Sequence, residues 1–260
     1  MIAYYENSKG EKLDLMKSPY RTVDADWYDS DWEETSDGYE KTVSIDVFGK
    51  KSEFVENMER LYSIIAVDSE NGVYGKLYVN GTYLRCNVNR TKKSGWKGYV
   101  YSEVELVFKA PVLEWIQEEK KSFFQQEEAV STKGLDFPAD IPFDFSVDKR
   151  GVEQWNIDHV TSSDFMMIIF GPCINPRILI NEYPYEVVET LEKQEYMIID
   201  SADQTVMKYM ANGIESSLFN ERGYDYSVFE KIPSGLLTVN WSGDFGFDLT
   251  LFLKRREAKW

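Results

Sequence analysis

The sequence predicts a mainly β protein of two domains, with one helix in the first domain and none of any length in the second. Three observations carry this. Short runs of β-favouring residues recur along the chain, many of them alternating apolar with polar, and turn residues punctuate them. Aromatic residues make up 15% of the chain, mostly Tyr and Phe, which suit pleated, half-buried surfaces. At 260 residues the chain is long enough for two cores of ordinary size.

In order, residues 3–5 and 11–15 read as short strands around the polar turn Asn7-Ser8-Lys9-Gly10. An acidic, aromatic stretch follows from Asp24 to Asp37. In Lys41–Phe48, Val43, Ile45 and Val47 alternate with polar partners, and Gly49 closes the strand. Residues 53–66 form the helix: Ser52 can cap it, Phe54, Met58, Leu61 and Ile65 repeat along one face, and Val55 and Tyr62 widen the stripe. It reads as a helix covering a sheet. Asn80-Gly81 between two β-rich runs predicts a hairpin over 76–85, because a type I′ turn needs positive φ at both central residues. A basic loop, Thr91 to Gly98, leads to a strand from Tyr99 to Lys109 that Pro111 ends.

Residues 114–134 lose the apolar spacing and read as an exposed excursion or linker. Spaced prolines among aromatics, Leu135 to Phe145, suit an extended chain leading into a second domain, since each proline biases its predecessor away from helix. The boundary is expected near 128–140, giving domains 1–130 and 135–260. Strands then follow at 152–159, 164–170, 177–181, 185–191, 195–200, 205–210, 236–241 and 246–254, a pattern that points to a β-sandwich or jelly roll. No fixed-period repeat appears, which excludes solenoids and propellers.

A formal charge of −16 argues against nucleic acid, whose phosphates need Lys and Arg, and against anionic membranes. Cys86 and Cys173 lie far apart and in no metal or redox spacing, so both read as buried reduced thiols. The N-terminus has no basic region followed by an apolar stretch, so no signal peptide is expected and synthesis and folding in a cytoplasm are. The longest apolar run, Phe165 to Phe170, is too short to span a bilayer.

Candidate chemistry is sparse. The acidic cluster Asp24, Asp26, Asp29, Asp31, Glu33, Glu34 and Asp37 could offer oxygens to calcium, but its spacing fails the EF-hand pattern and fits a solvated loop better. The single histidine, His159, has no nucleophile motif to serve, and phosphate-cradling glycine loops are missing. No catalytic residue, metal or cofactor is expected. Asn175-Pro176-Arg177 resembles a fragment of the galectin sugar-binding motif, but Cys173 stands where that motif has histidine. The fragment reads instead as a turn ahead of a strand.

The last residues run through Tyr196–Asp200, Gly213, Leu218-Phe219-Asn220, Phe229-Glu230-Lys231-Ile232-Pro233-Ser234-Gly235, Val239-Asn240-Trp241 and Arg255–Trp260. That order resembles the C-terminal half of the distal tail (Dit) proteins of siphophages that infect Gram-positive bacteria. The helix at 53–66, the hairpin Gly75–Tyr83, Lys109-Ala110-Pro111 and the proline-rich lead-in resemble the N-terminal half of that family. The resemblance implies an N-terminal belt domain closing into a ring, hexameric in the family, and a C-terminal galectin-like β-sandwich. The protein would be a virion structural protein without enzymatic activity. It would be a hub at the tail tip joining the tail tube to baseplate and receptor-binding proteins. The alternative from another class is a lectin-like carbohydrate-binding module, and a third reading is a carbohydrate-active enzyme.

For the ring contact, the residues themselves nominate Trp27, Trp32, Lys92, Lys93, Trp96 and Lys97. Trp27, Tyr28, Trp32, Tyr39 and Trp96 look exposed, and the basic loop complements the acidic stretch head to tail.

Overall fold

A computed structural model describes residues 2–23, 27, 31–126 and 150–260. The chain divides into two compact units, Met1–Gln117 with Lys254–Trp260, and Glu118–Leu253. The expected boundary near 128–140 lies outside the described residues. The last seven residues group with the first unit, and Ala258 is buried in its core.

In the first unit, β1 (Ala3–Glu6) pairs with β2 (Lys12–Asp14) and with β6 (Gly75–Val79). β6 turns into β7 (Thr82–Ser94) through Asn80 and Gly81, whose φ values of 45° and 84° are those a type I′ turn requires. β7 serves two ladders. Its start pairs with β6 and with Trp115–Gln117 at the head of β9 (Trp115–Phe123), while Asn87–Ser94 pairs with β8 (Tyr101–Ala110). The register of the β7–β8 ladder shifts between Val88 and Arg90, a bulge just past the change of partner. β8 continues to β5 (Gly38–Phe48), which also pairs with β3 (Tyr20–Thr22) and β4 (Glu33–Thr35).

Helix α1 (Ser52–Asn71) packs on β7, β5 and β2. Phe54, Met58, Leu61 and Ile65 are buried as the periodicity predicts, joined by Ile64 and Asp68. Ser52 is the first helical residue, not a cap, and no side chain caps this end. The helix runs past residue 66 until Gly72 adopts the left-handed conformation at φ 65°. Val55 faces solvent and does not widen the buried stripe.

The polar run at 114–134 contains a strand where a linker is expected. Between Trp115 and Phe123, both buried, the chain of β9 carries charged residues that find ion-pair partners. Lys120 reaches Asp248 at 2.7 Å and Lys121 reaches Glu153 at 2.9 Å. Local spacing does not reveal such a strand, because its polarity is compensated from elsewhere in the chain.

The second unit is a β-sandwich. β10 (Gly151–Ile157), β19 (Gly235–Trp241), β13 (Arg177–Ile180) and β14 (Tyr183–Glu186) form one antiparallel sheet. The other contains β18 (Glu215–Ser217), β17 (Thr205–Tyr209), β16 (Tyr196–Asp200), β11 (Asp164–Phe170) and β20 (Phe247–Arg255), in that order. Alternate residues of both sheets meet in one core, among them Phe165, Met167, Ile178, Val239, Phe247 and Leu249. The run at 185–191 is not one strand. It divides into β14 and the short β15 (Thr190–Leu191), which pairs with β12 (Cys173–Ile174). Asn175, at φ 47°, makes the turn expected of Asn-Pro, and β13 begins at Arg177. Gly151 is required where β10 crosses β19, since a Cβ there would enter the Trp241 ring.

Candidate interaction surface

Four of the six nominated contact residues gather at the far end of the β7–β8 hairpin. Lys92 and Lys93 lie on β7 itself, not in a loop, and Trp96 and Lys97 lie in the turn beyond it. The other two are elsewhere. Trp27 and Trp32 are only 2% and 8% exposed and belong to the core of the first unit, the Trp27 and Phe108 rings meeting edge-on with centroids 5.9 Å apart. Acidic neighbours suggest exposure for these tryptophans, but residues distant in sequence cover them. Tyr39 is half-buried, and Tyr28 lies outside the described residues.

The hairpin end is held by aromatic and charged contacts. Trp96 meets the buried Phe54 ring of α1 edge-on at 5.4 Å and Tyr99 at 5.7 Å, yet stays 53% exposed. Tyr99 and Val100 are more than two-fifths exposed, and Phe48 stands close by against Tyr101 at 5.5 Å. Gly49 lets the chain pass from β5 into α1, because a Cβ there would strike the Phe54 backbone. Lys92 is paired with Glu105 at 3.0 Å, Lys93 lies over the Tyr62 ring at 4.9 Å, and Lys97 over Tyr101 at 5.4 Å. Tyr101 donates to Asp46 at 2.7 Å; that bond, with a smaller contribution from desolvation, pushes its pKa up to about 12.

The surface is therefore aromatic at its centre, with Lys50, Lys51 and Lys97 exposed along the same end of the unit. The exposure of Tyr99 and Val100 is not legible in sequence, because their β-rich residues read as the start of the strand, which begins only at Tyr101. Large exposed apolar side chains grouped in this way are what a protein contact requires.

His159 sits just beyond β10, half-buried, with Thr161 Oγ1 3.4 Å from its Nε2. Among the described residues no three His, Cys, Asp or Glu side chains come together as metal ligands. Of the acidic cluster, Glu33 and Glu34 are exposed on β4 and Asp37 pairs with Lys109 at 3.7 Å, while Asp24, Asp26 and Asp29 lie outside the described residues. Cys86 and Cys173 are both free and buried, one in each unit, and burial pushes the Cys173 thiol up to about 11. Among the described residues, no helix is long and apolar enough to cross a membrane.

No protein-family model matches the sequence, and no curated protein matches it. The three-dimensional comparison does find similar chains. One belongs to the phage p2 baseplate in its activated conformation with Ca: TM-score 0.59 at 12% identity, over 98% of this chain and 99% of that one. The chain has the fold of a phage baseplate protein. The same baseplate with Sr gives TM-score 0.59 at 11% identity, with 98% of each chain covered. The SPP1 Dit protein aligns over 98% of both chains at 9% identity, but at TM-score 0.49 it adds nothing to the argument. The baseplate-protein fold is thus shared from end to end, through both units, at an identity too low to transfer any residue's role.

Proposed function

We propose that this protein is a structural component of a phage tail tip, a hub of the distal tail kind whose first unit assembles copies of itself into a ring. The observation that carries the reading is the match in fold to a phage baseplate chain along 98% of the length. The order of short motifs along the sequence supports it independently. Function in such a protein lies in interfaces and no reaction is catalysed. The second unit would face baseplate or receptor-binding partners, and the ring, of six copies as in the family, would join them to the tail tube.

The ring contact is assigned to the hairpin end, centred on Trp96 and Tyr99 and helped by Lys97, with the other copy contributing acidic surface. Lys92 and Lys93 already have partners within the chain and would support the contact from behind. Trp27 and Trp32, being core residues, have no direct part in it. Negative-stain imaging and light scattering of the purified full chain at high concentration should reveal closed rings. Trp96→Ala with Tyr99→Ala should shift the population towards monomer by at least about tenfold in dissociation constant, as truncation of anchor residues does. A chain that remains monomeric at every concentration and beside tail-tube protein would sink the ring reading.

A further inference from the structure

We propose that the second unit carries a binding subsite for a neutral saccharide, formed by Arg177, Glu186, Tyr224 and Tyr226 at the edge of the four-stranded sheet. Arg177 opens β13 and lies directly across from Glu186 on β14, guanidinium to carboxylate 3.7 Å apart, with both side chains reaching solvent. The segment after the 3-10 turn Phe219–Glu221 crosses beside this pair and, with Asp225, encloses a cleft of about 240 Å³.

That segment is fixed in place by its own bonds. The Gly223 amide donates to Glu186 O at 3.1 Å and the Val188 amide to Glu221 O at 2.7 Å. Tyr183 Oη donates to Ser227 O at 3.0 Å, Tyr185 Oη to Glu230 O at 2.9 Å and Tyr224 Oη to Asn220 O at 2.7 Å. Tyr226 rests edge-on against Tyr183 at 5.7 Å. Yet Tyr224 is 81% exposed and Tyr226 55%. Two rings are held ready with much of their surface in water, so little ordering cost remains for a ligand that covers them.

The chemistry of the cleft selects the ligand. A sugar ring presents a patch of C–H groups on one face and hydroxyls around its edge. An aromatic face accepts the first, and a guanidinium with five donors beside a carboxylate that only accepts serves the second. An anion is disfavoured, because Glu186 and Asp225 both line the cleft. A protein contact of ordinary kind needs a broad apolar centre around its anchors, whereas the cleft beside these tyrosines is lined mainly by Arg177, Glu186, Asp225 and Gly223, with Pro184 as the aliphatic contribution. The cleft is also smaller than the roughly 300–1,000 Å³ of sites for larger organic ligands, which suits one sugar unit of a chain. The Asn175 turn takes no part beyond placing Arg177. The site does not depend on ring formation.

The test is saturation-transfer NMR and calorimetry on the full chain with glucose, galactose, N-acetylglucosamine, rhamnose, lactose and cellobiose as probes. At least one should bind with a dissociation constant on the order of millimolar. Tyr224→Ala with Tyr226→Ala should weaken it about tenfold or more, and Glu186→Gln severalfold, with a single cooperative melting transition of each unit retained because the sandwich core is untouched. Absence of binding by every probe would overturn the proposal, as would binding that the tyrosine and glutamate variants leave intact. If no sugar binds and the tyrosine variant instead loses self-association, the surface is a protein contact.

Discussion

Tyr5→Phe tests what ties the N-terminal hairpin to the helix. Tyr5 on β1 is fully buried and donates its hydroxyl to Asp68 Oδ2, near the end of α1. Asp68 is itself 0% exposed, and its other oxygen accepts the Ser8 amide at 2.9 Å. Replacing Tyr5 by Phe keeps the ring and deletes the hydroxyl, so Asp68 Oδ2 loses its donor at a fully buried position. A buried polar atom left unpaired costs about 1–3 kcal/mol. Taking about 2 kcal/mol, the melting temperature of a unit this size should fall by roughly 6–10 °C. Tyr62→Phe is the control, since the Tyr62 hydroxyl is buried without a hydrogen-bond partner and its removal should be neutral or stabilising. Scanning calorimetry of the full chain, following the transition that moves, reads both variants. Equal effects from the two substitutions would refute the reasoning, because the hydroxyl bonded to Asp68 would then contribute no more than one with no hydrogen-bond partner.

The same cluster makes Gly75→Ala severe: its new Cβ would lie 2.5 Å from Asp68 Oδ2 and from Glu6 O, and 2.6 Å from Tyr5 Oη. Soluble yield and melting temperature should drop by far more than for Gly81→Ala, which meets no atom within 4 Å and costs only about 1–2 kcal/mol of left-handed backbone strain. Similar losses from both would show that contacts at Gly75 relax freely. In the second unit, Glu195 is held below the usual carboxylate range, first by the Glu192 amide and then by Lys208, 3.0 Å away. A depressed folded-state pKa gives stabilisation that is complete above the unfolded value and disappears as pH falls through the folded one. Melting temperature measured against pH should therefore fall more steeply below about pH 4.3 for the native protein than for Glu195→Gln. Parallel curves would remove Glu195 from the acid response.

Much of this architecture is written locally. The Asn80-Gly81 turn, the buried face of α1 and the longer strands after residue 150 are legible because turn geometry and side-chain periodicity depend on neighbours in sequence, whereas the run at 185–191 divides. The motif order likewise carried the resemblance whose fold the full-length structural match supports. Exposure is different in kind. Trp27 and Trp32 sit in an acidic stretch that looks solvated, and only the packing of distant residues over them puts both in the core. β9 looks like linker because the acids that pair with Lys120 and Lys121 are far away in sequence. Ala258 reaches the first core only because the chain, after building the second unit, returns to the first. The aromatic end of the β7–β8 hairpin and the tyrosine cleft beside Arg177 are likewise assembled from segments that sequence leaves apart. Burial and convergence depend on contacts between distant residues, and those the tertiary structure alone decides.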